Sequence, residues 1–191
     1  LTVGPDEGTP GQFKQLSFGF GAIGFPASGQ LALFRVSSAA GAPVGSWLVS
    51  SVVTAMDGDR PHGTTVSAFM SLSMDPPMTA VALDRQSEVL GLIEGTRRFA
   101  INVLGTAQSS LAVAFARKGR AKFDGVEWAE HLGVPRLPDV SIWIACTVDA
   151  VVDGGDHKIV TGSVNEVEHR ESNPLTYHRR VFGTHAPTSV L

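Results

Sequence analysis

Hydroxyl side chains recur at alternate positions in one short stretch of this chain, Gly63 to Pro77, where chemistry is most readily sought. A Gly opens the stretch and a double Pro closes it, so both ends carry structure breakers. Read as a single strand, Val66, Ala68, Met70 and Leu72 share one side, and Thr65, Ser67, Phe69, Ser71 and Ser73 share the other. Periodicity leaves two readings of that second side: a solvated outer face, or a polar groove for a phosphorylated ligand. Small hydroxyls suit the second because they donate to an anion without a fixed charge of their own.

Other reactive patterns are missing. The chain has no G-x-S-x-G elbow and no H-E-x-x-H pair. His62, His131, His157, His169, His178 and His185 show no metal-ligand spacing, so no metal is expected. Cys146 is the only cysteine, which excludes an internal disulfide and a thiolate zinc site and favours a reducing compartment. Side chains alone therefore offer little chemistry, and a bound organic cofactor would supply it. Gly19, Gly21 and Gly24 spell G-x-G-x-x-G, but Phe25-Pro26 follows where a helix should begin. No acidic residue stands between Glu7 and Asp57, so a dinucleotide-binding Rossmann unit is not indicated.

The elements that would position these residues are mostly strands. Trp47 to Ala55 is β-branched and reads as a buried strand, with turn chemistry at Asp57 to Pro61 and the Gly63 to Pro77 strand returning as a hairpin arm. Met78 to Leu83 reads as a third strand. Ser87 is placed to cap a helix through Glu94, with Gly95 ending it. Phe99 to Val103 alternates as a further strand, and a second helix is predicted over Thr106 to Lys118. Residues 119–140 read as a long irregular excursion. Ser141 to Asp153 and His157 to Glu168 form a long hairpin about Asp153-Gly154-Gly155-Asp156. Residues 1–30 look loose, and nothing divides the remainder, 31–191, into two units.

The 191 residues are 43% hydrophobic and 17% charged, which fits one globular domain. Twenty-one Gly and eleven Pro indicate many turns. A net charge of −3 with scattered Lys and Arg excludes a basic nucleic-acid face. No apolar run approaches a membrane span, and the N-terminus lacks signal-peptide features, so a cytoplasmic protein is expected. The fold class is mainly β (α+β), a closed or nearly closed barrel with two helices.

Taken in order, the motifs resemble the flavin reductase family, the small reductase components of two-component flavin monooxygenases. The resemblance runs through Val53-Thr54-Ala55, Gly63 to Phe69, Ser71 to Pro77, Phe99 to Leu104, Gln108, Lys122-Phe123, Gly155 to Val164 and Pro174 to Arg179. It implies an FMN-binding split β-barrel with a few flanking helices. It implies that flavin is held by Val53, Thr54, Thr65, Ser67, Ala68, Phe69, Ser71, Ser73, Asn102, Val103, Leu104, Gln108, Lys122 and Phe123. Gln108 would lie at a helix start and Lys122 near the phosphate. The Gly-Asp-His motif implies that His157 meets NADH or NADPH, with Tyr177, His178 and Arg179 also holding the dinucleotide.

The activity implied is hydride transfer from NAD(P)H to FMN or FAD. Reduced flavin would pass to a partner monooxygenase, and the reductase would be a homodimer. No acid or base side chain is expected to be essential. Arg180 departs from the family, which often has Gly there, and Val49-Ser50-Ser51 replaces its usual Gly-Val-Thr. The first departure motivates a second reading, a flavin-binding barrel without nicotinamide-dependent reductase activity.

Overall fold

The computed structural model describes residues 23–24, 30–31, 48–67, 69–119 and 121–185. In chain order the strands are β1 (Ile23–Gly24), β2 (Gln30–Leu31), β3 (Leu48–Val49), β4 (Ser51–Asp57), β5 (Arg60–Val66), β6 (Phe69–Met74), β7 (Pro77–Asp84) and β8 (Arg98–Val103). They continue with β9 (Ala129–His131), β10 (Val134–Arg136), β11 (Ile142–Gly154), β12 (His157–His169), β13 (Leu175–His178) and β14 (Val181–Thr184). Helix α1 is Glu88–Thr96 and α2 is Ser109–Ala116.

Seven strands form one antiparallel sheet in the order β5-β4-β8-β11-β12-β7-β6. Its two edges, β5 and β6, are consecutive in the chain and separated only by Ser67 and Ala68. Three peptide steps from Val66 to Phe69 span at most about 11 Å, so the sheet must roll until its edges meet. No ladder joins those edges among the described residues. The result is a barrel closed by covalent connection and left split between β5 and β6.

Strict alternation sorts side chains between the inside and the outside. Val53, Ala55, Val81, Leu83, Phe99, Ile101, Val103, Ile142, Ile144, Cys146 and Val160 pack within, and Val89, Leu90 and Ile93 of α1 join them. Val52, Ala100, Leu104, Trp143 and Ala145 face outward under Ala112 and Phe115 of α2, Val134, Leu137 and Leu175. Two glycines allow close approach. A Cβ on Gly162 would stand 2.7 Å from the Phe99 ring, and one on Gly63 would stand 2.8 Å from Phe115. Cys146 is 2% exposed, and burial pushes its thiol well above the ordinary range.

Several expectations need correction. Gly63 to Pro77 is not one strand: it breaks at Ser67, and a bulge follows between Ser71 and Ser73. Phe69 therefore turns into the barrel, paired with Val81, while Thr65 faces α2 on the outside. The predicted hydroxyl row does not share a face. Trp47 to Ala55 likewise divides, β3 pairing with β13 and β4 continuing to Asp57; Trp47 itself lies outside the described residues. The first hairpin turns at Gly58 and Asp59 alone, with Arg60 and Pro61 already in β5.

Gly95 lies within α1, which ends instead at Arg97 in the left-handed region, φ 59°. Arg97 is held there by donating to the Val148 and Asp149 carbonyls at 3.1 and 3.0 Å. The second helix is a 3-10 turn at Thr106–Gln108 followed by α2, which stops at Ala116. The 119–140 excursion carries the β9–β10 hairpin, and the tail forms β13–β14. Residues 1–22, with Gly19 and Gly21, lie outside the described residues, and Gly24 falls in β1.

Candidate active site

Of the residues anticipated to hold flavin, Thr65, Ser67, Asn102, Val103, Leu104 and Gln108 lie at one end of the barrel. Ser51 of β4 pairs with Val66 on one side and Val103 on the other. Next to it, Leu104 donates to the Ser50 carbonyl at 3.1 Å and Leu175 donates to the Leu104 carbonyl at 2.8 Å. Thr65, Ser67, Asn102, Val103, Leu104, Gln108 and the start of β13 thus converge.

Most of their side chains are engaged by the protein. Asn102 is fully buried; its Nδ2 donates to the Val52 carbonyl at 3.2 Å and to Thr54 Oγ1 at 3.1 Å, and its Oδ1 accepts from Leu137 N at 2.9 Å. Thr54 Oγ1 in turn donates to the Pro135 carbonyl at 2.7 Å. This network satisfies every buried partner and ties the β10 segment to β4 and β8. Gln108 closes the 3-10 turn, accepting from Gly105 N at 2.9 Å and donating to the Pro138 carbonyl at 2.8 Å. Thr65 Oγ1 donates to the Ala112 carbonyl at 2.8 Å. Val53 and Val103 point into the barrel core, and Leu104 is buried beneath the outer layer, so none of the three presents a side chain to a ligand.

Lys122 Nζ donates to the Gly63 and Phe115 carbonyls, both at 3.1 Å. An ammonium has three donors, so one remains for an anion. Burial lowers its pKa, and Glu88 acts in the opposite sense. Phe123 packs edge-on to Phe115, ring centroids 4.8 Å apart, as part of the wall under α2. On β6, Ser71 is paired with Thr79, and Ser73 with Met78 beyond the bulge. Ser67 is exposed, and Ala68 lies outside the described residues.

Sequence reasoning passed over Ser51. Its Oγ is buried without a hydrogen-bond partner in the protein, as is Thr176 Oγ1 on the neighbouring β13. The available signal was a hydroxyl interrupting the β-branched run from Val49 to Thr54. Unpartnered hydroxyls on Ser51 and Thr176 beside an exposed Ser67 form a donor set suited to a ribityl chain and phosphate. The residues present therefore fit a flavin.

The opposite end is built around a turn. His157 follows Gly155, φ 76°, and Asp156 at the tip of the β11–β12 ribbon, and its Nδ1 lies 2.8 Å from Asp156 Oδ1. That contact holds the Asp156 carboxyl below its ordinary range. β11 is 13 residues long, which places roughly 40 Å of strand between this tip and Ile142. Ile142 pairs with Val103, next to Leu104, at the other end of the ribbon. β13 starts beside Leu104 and runs antiparallel to β3, away from the barrel. Tyr177, whose ring lies 4.9 Å from Phe182, and His178 and Arg179 are thus far from His157 within one chain. Arg179 and Arg180 form the two-residue turn between β13 and β14, both left-handed, at φ 49° and 66°.

Among the described residues one side-chain group has metal-ligand chemistry: His131, Glu166 and Glu168 bring ligand atoms within 4.8 Å of one another. These groups already satisfy one another, because His131 Nε2 lies 3.1 Å from Glu166 and Arg136 pairs with Glu168. No helix among the described residues is long and apolar enough to cross a membrane.

A rolled, split sheet with a hydroxyl-lined end and a Gly-Asp-His turn defines a flavin-binding split barrel. Residues 49–186 match the family described as flavin reductase like domain, and the chain belongs to that family of oxidoreductases. It is 37% identical over 137 residues to the reductase component of a Rhodococcus opacus 4-nitrophenol 4-monooxygenase/4-nitrocatechol 2-monooxygenase, covering 72% of this chain and 74% of that protein. It is 34% identical over 144 residues to a Streptomyces pristinaespiralis NADH:riboflavin 5'-phosphate oxidoreductase, covering 73% and 82%. Among solved structures it resembles the Streptomyces globisporus NADH:FAD oxidoreductase in complex with NAD and FAD fragments. The TM-score is 0.71 at 25% identity, covering 75% of this chain and 88% of that one.

Proposed function

We propose that the protein is an NAD(P)H-dependent flavin reductase that loads FMN or FAD with electrons for a separate monooxygenase. The observation that supports the reading best is the pair of buried, unpartnered hydroxyls of Ser51 and Thr176 at the end of the barrel where the exposed Ser67, Asn102 and Leu104 also lie. When bound there, flavin supplies a ring that accepts hydride. The chain's own part is positioning: hydroxyls and backbone donors hold the polar tail, and Lys122 offers a cation to its phosphate. Asn102 and Gln108 act one layer back, fixing the backbone that lines the site. No side chain has to move a proton. NADH or NADPH oxidation measured with added FMN and FAD tests this directly, and no turnover with either flavin would reject it.

The dinucleotide site is placed across two copies of the chain. His157 and the Tyr177 to Arg179 segment stand at opposite ends of the ribbon, so they reach one dinucleotide only if a homodimer brings the partner's turn alongside. Val152 and Ile159, directly opposed near the tip, are 51% and 39% exposed, and Leu72 and Met74 on β6 are 44% and 49% exposed. Apolar surface at both places suits such a contact. Mixing a His157→Ala chain with a Tyr177→Ala/Arg179→Ala chain tests it. With a shared site the heterodimer has one intact site of two, so an equilibrated equal mixture, about half heterodimer, recovers about a quarter of wild-type turnover. A site within one chain stays impaired. A single buried thiol and no disulfide suit the cytoplasm.

A further inference from the structure

We infer that Arg85, which no motif singles out, is the positioning residue for His157; the inference rests on the reading of His157 as the nicotinamide-side contact. Arg85 follows β7 in the turn that leads into α1. Two bonds fix that turn: Asp84 Oδ1 accepts from Gln86 N at 2.7 Å, and Ser87 N donates to the Asp84 carbonyl at 2.9 Å. From this rigid base Arg85 reaches the neighbouring hairpin three times. Its backbone N donates to the Asp156 carbonyl at 3.1 Å, its Nε to the Gly155 carbonyl at 2.6 Å, and its Nη2 lies 2.8 Å from Asp153 Oδ1.

These contacts cover the turn residues before His157. Gly155, in the left-handed region, and Asp156 form the two-residue turn itself, outside the ladders that pair His157 with Gly154 and with Asp84. On the far side Lys158 Nζ pairs with Glu94 Oε1 at 2.6 Å, so α1 holds the residue after His157. His157 is thereby gripped from both sides while its ring remains 44% exposed. The planar fork of an Arg suits a carbonyl and a carboxylate together; a Lys ammonium makes one of those contacts at a time. An exposed ion pair alone contributes little to stability, so the value of this clamp lies in the direction in which the imidazole points.

Arg85→Ala should raise the KM for NAD(P)H roughly five-fold, the loss of about one ordinary hydrogen bond. The kcat at saturation and the flavin affinity should stay near wild type. Arg85→Lys should recover part of the loss. In a His157→Ala background the further change at Arg85 should add nothing. An unchanged KM in Arg85→Ala, or an equal further rise in the double variant, would overturn the assignment. The His157 ring resonances in an NMR spectrum give a readout independent of turnover. They should shift and broaden in Arg85→Ala, and unmoved signals would likewise refute the clamp. If His157→Ala itself left the KM unaltered, the nicotinamide reading would fail, while the ring signals would still decide whether Arg85 orients the imidazole.

Discussion

The two ends of the β11–β12 ribbon are made differently. At the end proposed for flavin, polar side chains are bonded to the fold: the fully buried Asn102 to β4 and the β10 segment, and the half-buried Gln108 and Thr65 to two backbone groups and to α2. At the turn end the polar groups are exposed, and they are held by Arg85 and by Glu94. The difference implies a division of labour. Lesions at the first end should cost stability and flavin affinity together, and lesions at the second should cost turnover with the fold intact.

The largest effect should come from Asn102→Ala. It strips the Val52 carbonyl, Thr54 Oγ1 and Leu137 N of a buried partner, at a cost of about 3 kcal/mol. For a chain of this size the thermal midpoint should fall by about 10 °C, with flavin affinity falling too. A midpoint within 2 °C of wild type in a melting curve, on the order of one-half kcal/mol, would erase the contrast between the ends.

His157→Ala should raise the KM for NAD(P)H about ten-fold, equivalent to about 1.4 kcal/mol, and leave the melting curve and flavin titration unchanged. Flavin affinity lost in step with nicotinamide affinity would show that the two ends are not separate.

Lys122→Met removes two bonds to carbonyls and one available donor. We expect about 1 kcal/mol lost in stability and a several-fold weaker FMN titration that no longer depends on salt. Undiminished FMN binding would confine Lys122 to holding α2 against β5.

Arg180→Gly should have the smallest effect. Relief of a left-handed non-glycine residue should stabilise the β13–β14 turn by about 1 kcal/mol, read as a midpoint about 3 °C higher.

Much of the barrel was legible in the sequence because alternation is a local signal. β7, β8, β11 and β12 fall within a residue or two of their anticipated bounds. The breaks were not legible. Nothing local marks Ser67 as the place where β5 leaves one sheet edge and β6 begins the other, since that follows from closing the barrel. Phe69 shows the consequence: its parity on a single strand put it with the hydroxyls, and the break sends it into the core. Arg97 ends α1 in place of Gly95 because the carbonyls of Val148 and Asp149 lie within its reach, 51 and 52 residues away. The resemblance named Thr54 and Asn102 as flavin residues. Their side chains, however, bond to each other and to the segment at Pro135 and Leu137, partners that only the folded chain reveals. Ser51 escaped notice because an orphaned hydroxyl is a property of three dimensions.

Cys146 gives the barrel a built-in clock. Its sulfur lies among Phe99, Val148 and Val160, where a thiol reagent cannot reach it while the sheet stays rolled. Labelling must wait for the split between β5 and β6 to widen or for the ribbon to peel away. Comparing the labelling rate with that of an unstructured thiol gives the free energy of that opening, without any added probe. If saturating flavin slows the clock, the ligand is bracing the seam; if NAD(P)H alone slows it, the bracing comes from the other end of the ribbon.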